Sequence, residues 1–209
     1  MNTYISNSLF TSVILSFVLT FIPQSLFASS HLKVNCFWPA EHLVCQKILP
    51  NWLSAVKKAT QGRVTGSVLP ESAFSPPEQV VAVENGLVDV AVQFNGFIPS
   101  RATGALVAMM PFVATNDARA MSSALWLTNR KYFSNELSEV HLLSQWVISP
   151  AELYSQTHTP INSMAELSKR TIWSLPSVLE GIMIQATDSV VAMPPVRAHE
   201  VISTGVVNA

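Results

Sequence analysis

Two capping boxes that flank a short apolar stretch constrain the fold of this chain more than any other feature. Ser163 and Ser177 each stand three residues before a glutamate, so each predicts the first turn of a helix. Between them, residues 171–174 alternate in the manner of a strand. Helix, strand and helix in quick succession are typical of an α/β layer, in which ligands bind near strand ends. Trp173 lies at such a strand end.

The rest of the chain repeats this alternation, which makes the predicted fold class α/β. The pattern predicts strands over 31–37, 63–69, 88–94 and 189–192, helices over 41–60, 76–85, 116–133, 177–187 and 194–203, and extended chain over 140–149 and 153–158. Pro50 is expected to kink the first helix and Gly62 to end it. Asn116 is the predicted N-cap of the third helix.

The N-terminal segment predicts export. Its first thirty residues contain no Asp, Glu, Lys or Arg, and residues 13–22 form an apolar run that ends at Pro23. Such a run is too short to span a bilayer but suits the core of a secretory signal. We expect residues 1–28 to be a signal peptide, with the mature chain starting at Ser29; a retained membrane anchor is the alternative.

The predicted export allows two interpretations of the cysteines Cys36 and Cys45, bonded or separate. A disulfide is compatible with an oxidising compartment. Two separate buried thiols are the simpler interpretation, because the sequence does not indicate whether the two side chains converge.

The composition and motifs exclude several classes of function. A net charge of -1, with 12% charged residues, provides no basic surface for nucleic acid. The chain has no GxSxG, HExxH, Walker-type or paired CxxC motif, so the sequence predicts neither an enzyme nor a cofactor. His42 and Cys45 are close enough to share a metal, but a structural site requires four ligands, and no metal is predicted.

The last seven residues repeat an earlier pattern. Residues 84–90 and 203–209 both read as a helix end, a glycine turn and the start of a buried strand. The first copy continues into a complete strand, whereas the second stops at Ala209. Because a compact domain rarely exposes the beginning of a core strand, we expect a fragment or a truncated product.

Taken together, the motifs resemble the extracytoplasmic solute-binding proteins of TRAP transporters, the DctP-type family. The resemblance covers most of residues 31–209 and is carried by the order and spacing of short motifs. These are Trp38-Pro39 with His42, and the segments 59–64, 84–90, 99–101, 110–112, 123–126, 160–167, 195–200 and 205–208.

This resemblance implies a two-lobed periplasmic binding protein-like fold whose second lobe is incomplete. Lobe I is expected over 29–147 and lobe II over 148–209. It also implies a periplasmic receptor that closes by a hinge motion on a small organic acid, a carboxylate, and delivers it to the TRAP membrane permease subunits. The alternatives are a non-functional truncated remnant, a binding protein for a non-carboxylate ligand, and an enzyme on the same scaffold.

The predicted substrate-binding residues are Trp38, Phe94, Asn95, Arg101 and Trp173. In most relatives the position aligned with Trp173 carries an arginine that pairs with a carboxylate, so the resemblance implies an altered clamp here. Trp173 is expected either to stack on a ring-containing ligand or to serve as a core aromatic. Arg101 is the preferred source of the missing positive charge, whereas Arg170 is expected to be a solvated helix end.

Overall fold

The computed structural model describes residues 29–110, 113, 117–148 and 150–209. The predicted signal peptide, 1–28, and the predicted cap Asn116 lie outside the described residues. Within the described part, no helix is long and apolar enough to cross a membrane.

A parallel three-stranded sheet forms the N-terminal half of the fold. Its strands are β1 (Ser30–Asn35), β2 (Val64–Val68) and β3 (Val90–Ala91), in the order β2-β1-β3. Val34 of the central strand pairs with Val68 on one side and with Val90 on the other. Because all three strands are parallel, the loops that follow β1 and β3 leave the sheet at the same edge.

A long helical segment connects β1 to β2 and covers the sheet. It consists of a π-helical turn (Val44–Ile48) followed by helix α1 (Leu49–Ala59). Pro50 lies in the first turn of α1, directly after the π-helical turn, and the helical segment continues through it, so the kink at Pro50 stays a prediction. Gly62, with φ of +82°, ends the segment as predicted and donates to Lys57 O.

The core of this half lies between α1 and the sheet. Its buried members come from β1, the π-helical turn, α1 and the chain after β3: Val34, Cys36, Val44, Cys45, Leu49, Leu53 and Val92. Leu49 and Leu53 lie one turn apart on α1, which is the helical spacing that predicted this face.

Shorter elements connect this sheet to the second half. A 3₁₀ turn (Pro76–Glu78) leads into α2 (Gln79–Glu84), and two further 3₁₀ segments, Asn95–Phe97 and Gly104–Met109, follow β3. Helix α3 (Ala118–Tyr132) is capped by Asp117, whose side chain accepts from the N–H groups of Arg119 and Ala120.

Three predicted extended segments differ from the structure. β3 has two residues rather than the predicted seven. Its pairing with β1 ends at Val92, the last residue of the predicted strand whose N–H donates to β1. The described residues of 140–149 and 153–158 form no strand; Val147 N donates to Ser122 Oγ instead, at 3.0 Å.

A second parallel sheet contains β4 (Ile172–Ser174) and β5 (Val190–Ala192), with Trp173 opposite Val191. Helices α4 (Met164–Leu167) and α5 (Val178–Met183) flank β4, and α6 (Pro195–Ser203) follows β5. The predicted capping box at the start of α5 is present, with Ser177 N donating to Glu180 Oε2. At the start of α4, Ser163 Oγ accepts from Glu166 N as predicted, but the Glu166 carboxylate accepts from Asn162 N instead of Ser163 N, so the second half of that box is absent.

Residues 208 and 209 lie along the free side of β4. Asn208 N donates to Thr171 O and Trp173 N donates to Ala209 O, each at 2.9 Å. The Asn208 side chain adds a bond from Thr171 N at 3.0 Å. The strand start that the repeated pattern predicts is therefore paired with β4.

Candidate functional site

Five rings gather at the edge of the first sheet where β1 and β3 end, and we call them the aromatic cluster: Phe37, Trp38, His42, Phe94 and Phe97. Trp38 stacks on His42, with ring centroids 4.7 Å apart and planes 10° apart, and on Phe37 at 4.1 Å. Phe97 meets Phe37 and Phe94 edge to face, at 6.3 and 5.0 Å. The predicted site residues Trp38 and Phe94 are thus connected through two intervening rings.

A disulfide closes the loop that carries three of the five rings of this cluster. Cys36 and Cys45 are bonded, with their Cα atoms 5.7 Å apart, so the interpretation as two separate thiols is wrong. Both cysteines are buried, at 4% and 6% exposure, in the core beneath the loop. The bridge therefore fixes both ends of the segment that holds Phe37, Trp38 and His42.

Asn95 follows Phe94 and faces a neighbouring cleft of about 170 Å³. The cleft is lined mainly by the end of α3 and the chain that follows it, including Asn129, Phe133, His141 and Gln145. Gln145 Oε1 is buried without a hydrogen-bond partner. The cleft thus combines an apolar wall with amide groups that can accept and donate hydrogen bonds.

Arg101 is bound to Glu84, at the end of α2. Its Nη1 atom donates to Glu84 Oε2 at 3.1 Å, and its Nη2 atom donates to the other carboxylate oxygen. The hydrogen bonds that Arg101 donates to Glu84 raise the pKa of Arg101 above its ordinary value. The predicted ligand-binding guanidinium thus has an acidic partner within the chain.

Arg170 is not the solvated helix end that the sequence suggested. Its side chain is buried, and it donates to Thr157 Oγ1 at 2.6 Å and to Thr159 O at 2.7 Å. These bonds attach the turn over 157–159 to the start of β4. The long guanidinium reaches partners 11 and 13 residues away, which no local pattern indicates.

Trp173 lies in the second sheet, apart from the aromatic cluster. Trp173 as a whole is half-buried, but its Nε1 atom is buried without a hydrogen-bond partner. Helix α5, which follows β4, brings its Cα atoms within 8 Å of those of the Asn95–Phe97 turn. The end of β4 and the aromatic cluster are therefore joined through α5.

Sequence reasoning did not include Phe37, His42 and Phe97 among the site residues. The available signal was proximity: Phe37 precedes Trp38, and Phe97 follows Phe94 by three residues. Among the residues that the structure describes, no three His, Cys, Asp or Glu side chains are grouped so that they could hold a metal ion. The aromatic cluster instead offers ring faces, and the cleft beside it offers amide groups and the carboxylate of Glu136.

The chain matches known proteins over most of its length. It is 34% identical over 180 residues to the outer membrane transporter protein TsaT of Comamonas testosteroni, which covers 85% of this chain and 53% of that protein. The chain therefore spans about half the length of this curated relative.

Solved structures show the same fold. A TRAP periplasmic solute-binding protein from Bordetella bronchiseptica, with bound (R)- and (S)-mandelate, is 28% identical, with a TM-score of 0.75 over 85% of this chain and 56% of that one. A marine-metagenome TRAP solute-binding protein specific for aromatic acid ligands is 22% identical, with a TM-score of 0.78 over 86% and 57% of the two chains. This likeness confirms the predicted α/β periplasmic binding protein fold, and the coverage agrees with an incomplete second lobe.

The model of bacterial extracellular solute-binding proteins, family 7, matches residues 34–209. This family and its fold are those of transport solute-binding proteins rather than of enzymes. The chain therefore belongs to family 7 of the bacterial extracellular solute-binding proteins, the DctP family.

Proposed function

We propose that this chain is a periplasmic receptor that binds a small organic acid and delivers it to the membrane permease subunits of a TRAP transporter. The observation that carries the proposal is the aromatic cluster at the carboxyl edge of the first sheet, in a chain that belongs to a solute-binding family. The mandelate-bound relative supports an acid that contains an aromatic ring. A ring of this kind can pack against the half-buried side chains of Trp38 and Phe94.

Ligand binding in this proposal takes place between two lobes, 29–147 and 148–209. In this proposal Trp38, Phe94 and Asn95 form the wall on the first lobe. Arg101, which is bound to Glu84, and Trp173, on β4 of the second lobe, are the further ligand contacts. Closure of the lobes by a hinge motion excludes water from the ligand. The approach of α5 to the Asn95–Phe97 turn supports this arrangement.

Residues 1–28 act as the export signal in this proposal. The Cys36–Cys45 disulfide supports export, because such bonds persist in oxidising compartments, including the periplasm. Sequencing the N-terminus of protein recovered from the periplasm tests this step. A first residue at Ser29 is the expected result, and an intact Met1 in a membrane fraction contradicts it.

Thermal unfolding of the purified protein tests the receptor itself. The protein is heated alone and with a panel of acids that includes benzoate, mandelate and aliphatic dicarboxylates. An acid at 100 times its Kd stabilises the fold by about 2.7 kcal/mol, a rise in Tm of roughly 5–10 °C at this size. A rise with one class of acid supports the proposal and identifies that class.

Two other outcomes contradict it. A cooperative transition that moves only with neutral compounds indicates a receptor for a non-carboxylate ligand. Absence of a cooperative transition indicates a non-functional remnant. Large exposed apolar side chains between 142 and 154 favour this second outcome, because such surfaces promote aggregation: Leu142, Leu143, Trp146, Ile148, Leu153 and Tyr154.

A further inference from the structure

The indole N–H of Trp173 is a buried donor that lacks an acceptor. In the part of the chain that the structure describes, three buried side-chain polar atoms have no hydrogen-bond partner. Two are amide oxygens, of Gln93 and Gln145, and the third is Trp173 Nε1. Since a buried polar group without a partner costs free energy, an unmet donor in a candidate ligand site indicates that the acceptor comes from the ligand.

The backbone of Trp173 is held in place within β4. Backbone bonds hold the residue on both sides of β4, through the pairing with Val191 and the bond from Trp173 N to Ala209 O. The helix that follows β4 approaches the Asn95–Phe97 turn. The residue as a whole is half-buried, so part of it remains accessible.

The two arginines considered for the ligand already have partners. Both terminal nitrogens of Arg101 donate to the Glu84 carboxylate. Both terminal nitrogens of Arg170 donate to Thr157 and Thr159. These bonds occupy the end of each guanidinium that carries the two terminal nitrogens, and the Glu84 carboxylate already pairs with the charge of Arg101.

We propose that Trp173 Nε1 donates the hydrogen bond that fixes an oxygen of the ligand. The ligand class is then an aromatic ring that bears a carbonyl or carboxylate oxygen, recognised through a neutral donor rather than through its charge. This inference rests on the proposed function, because it assigns a specificity-determining contact within the same site. A neutral donor discriminates weakly between a carboxylate and the corresponding carboxamide, and such binding depends little on ionic strength.

Isothermal titration with benzoate and with benzamide tests the assignment. The proteins are the wild type, Trp173→Phe, which keeps an aromatic ring but removes the N–H, and the control Trp126→Phe. Trp126 is also half-buried and lies on α3, with Arg130 5.8 Å from its ring. Loss of one hydrogen bond weakens binding of both ligands about tenfold in Trp173→Phe. Trp126→Phe leaves both affinities within about twofold of wild type.

In the wild type, benzoate and benzamide bind within about tenfold of each other, and the benzoate Kd changes little between about 0.05 and about 0.5 M salt. In the NMR spectrum of the wild type, the Trp173 indole proton, assigned through bonds from its own backbone, moves downfield when benzoate is added. This last measurement does not require a variant to fold.

Three results overturn the inference. The first is that folded Trp173→Phe binds benzoate and benzamide as tightly as the wild type does. The second is that the Trp173 indole proton does not move when benzoate is saturating. The third is that the wild type prefers benzoate to benzamide by more than about 100-fold, with a benzoate Kd that depends steeply on salt. If no acid in the panel binds the folded wild type, the proposed function itself fails. Binding by the wild type with no effect at Trp173 overturns only the Trp173 contact.

Discussion

The side-chain amide of Asn35 donates a 2.7 Å hydrogen bond to Gln79 Oε1, and both residues are completely buried. Asn35 Nδ2 also donates to Ser72 Oγ at 3.1 Å, and Asn35 Oδ1 accepts from Ala73 N at 3.0 Å. Asn35 is the last residue of β1, directly before Cys36. This network therefore anchors α2 and the preceding loop to the strand from which the aromatic cluster projects.

Asn35→Ala is expected to destabilise the fold by about 2–4 kcal/mol, because each buried polar group left unpaired costs roughly 1–3 kcal/mol. Urea unfolding measures this loss. Asn51→Ala is the matched control, since Asn51 is exposed in the first turn of α1, and its effect should remain within about 0.5 kcal/mol. Equal effects of the two variants contradict a structural role for the buried network.

Removal of the disulfide tests how the loop of the aromatic cluster is held. The bridge joins residues nine positions apart, and closing a loop of this size stabilises a fold by about 2–3 kcal/mol. Cys36→Ala/Cys45→Ala should lose this amount in urea unfolding and should no longer respond to a reductant. Wild-type protein with reductant is the control and should approach the double variant. Two free thiols in untreated, unfolded wild type contradict the bond.

Local signals predicted the parts of the fold that depend on neighbouring residues. The N-caps Ser163 and Ser177, the glycine that ends α1 and the strands β1 and β2 depend on the spacing of a few residues, and the structure contains each of them. The α/β order follows from the same signals. Such features need no information about which distant segments meet.

Long-range partners account for what the sequence could not predict. The partner of Arg101 is 17 residues away, and the partners of Arg170 are reached across a turn. The length of β3 depends on where its N–H groups meet β1, which periodicity does not specify. Likewise, the rings that join Trp38 to Phe94 come from the segments that follow two strands, so only the parallel pairing of β1 and β3 brings them together.

Acid should weaken the capping box before α2 in a predictable direction. Ser75 donates to Glu78 Oε2 from its hydroxyl at 2.5 Å and from its backbone N–H at 3.0 Å. These bonds lower the pKa of Glu78 below its ordinary value of 4.5. A carboxylate with a lowered pKa stabilises the fold above its unfolded pKa, and this contribution disappears as the pH falls through the folded value.

The measurement is the Tm of wild type and of Glu78→Gln from pH 7 to pH 3. The wild type should be more stable at neutral pH, and the difference should shrink as the pH falls below about 4.5, the ordinary Glu value. In a Ser75→Ala background the largest cause of the lowered pKa is absent, so the difference at neutral pH should be smaller than in the wild-type background. A constant difference at every pH contradicts the capping role of the carboxylate.

Two glycines provide a paired test of packing beside the cleft. A Cβ on buried Gly104 lies 2.8 Å from Phe133 Cβ, so Phe133, a wall of the cleft next to Asn95, must shift. Gly104→Ala should therefore destabilise the fold by about 1–3 kcal/mol.

In contrast, a Cβ on Gly181, inside α5, meets no atom within 4 Å. Gly181→Ala should stabilise the fold by about 0.5–1 kcal/mol, because alanine loses less backbone entropy in a helix. Urea unfolding of both variants measures the two changes, and a stabilising Gly104→Ala contradicts the close packing of Phe133.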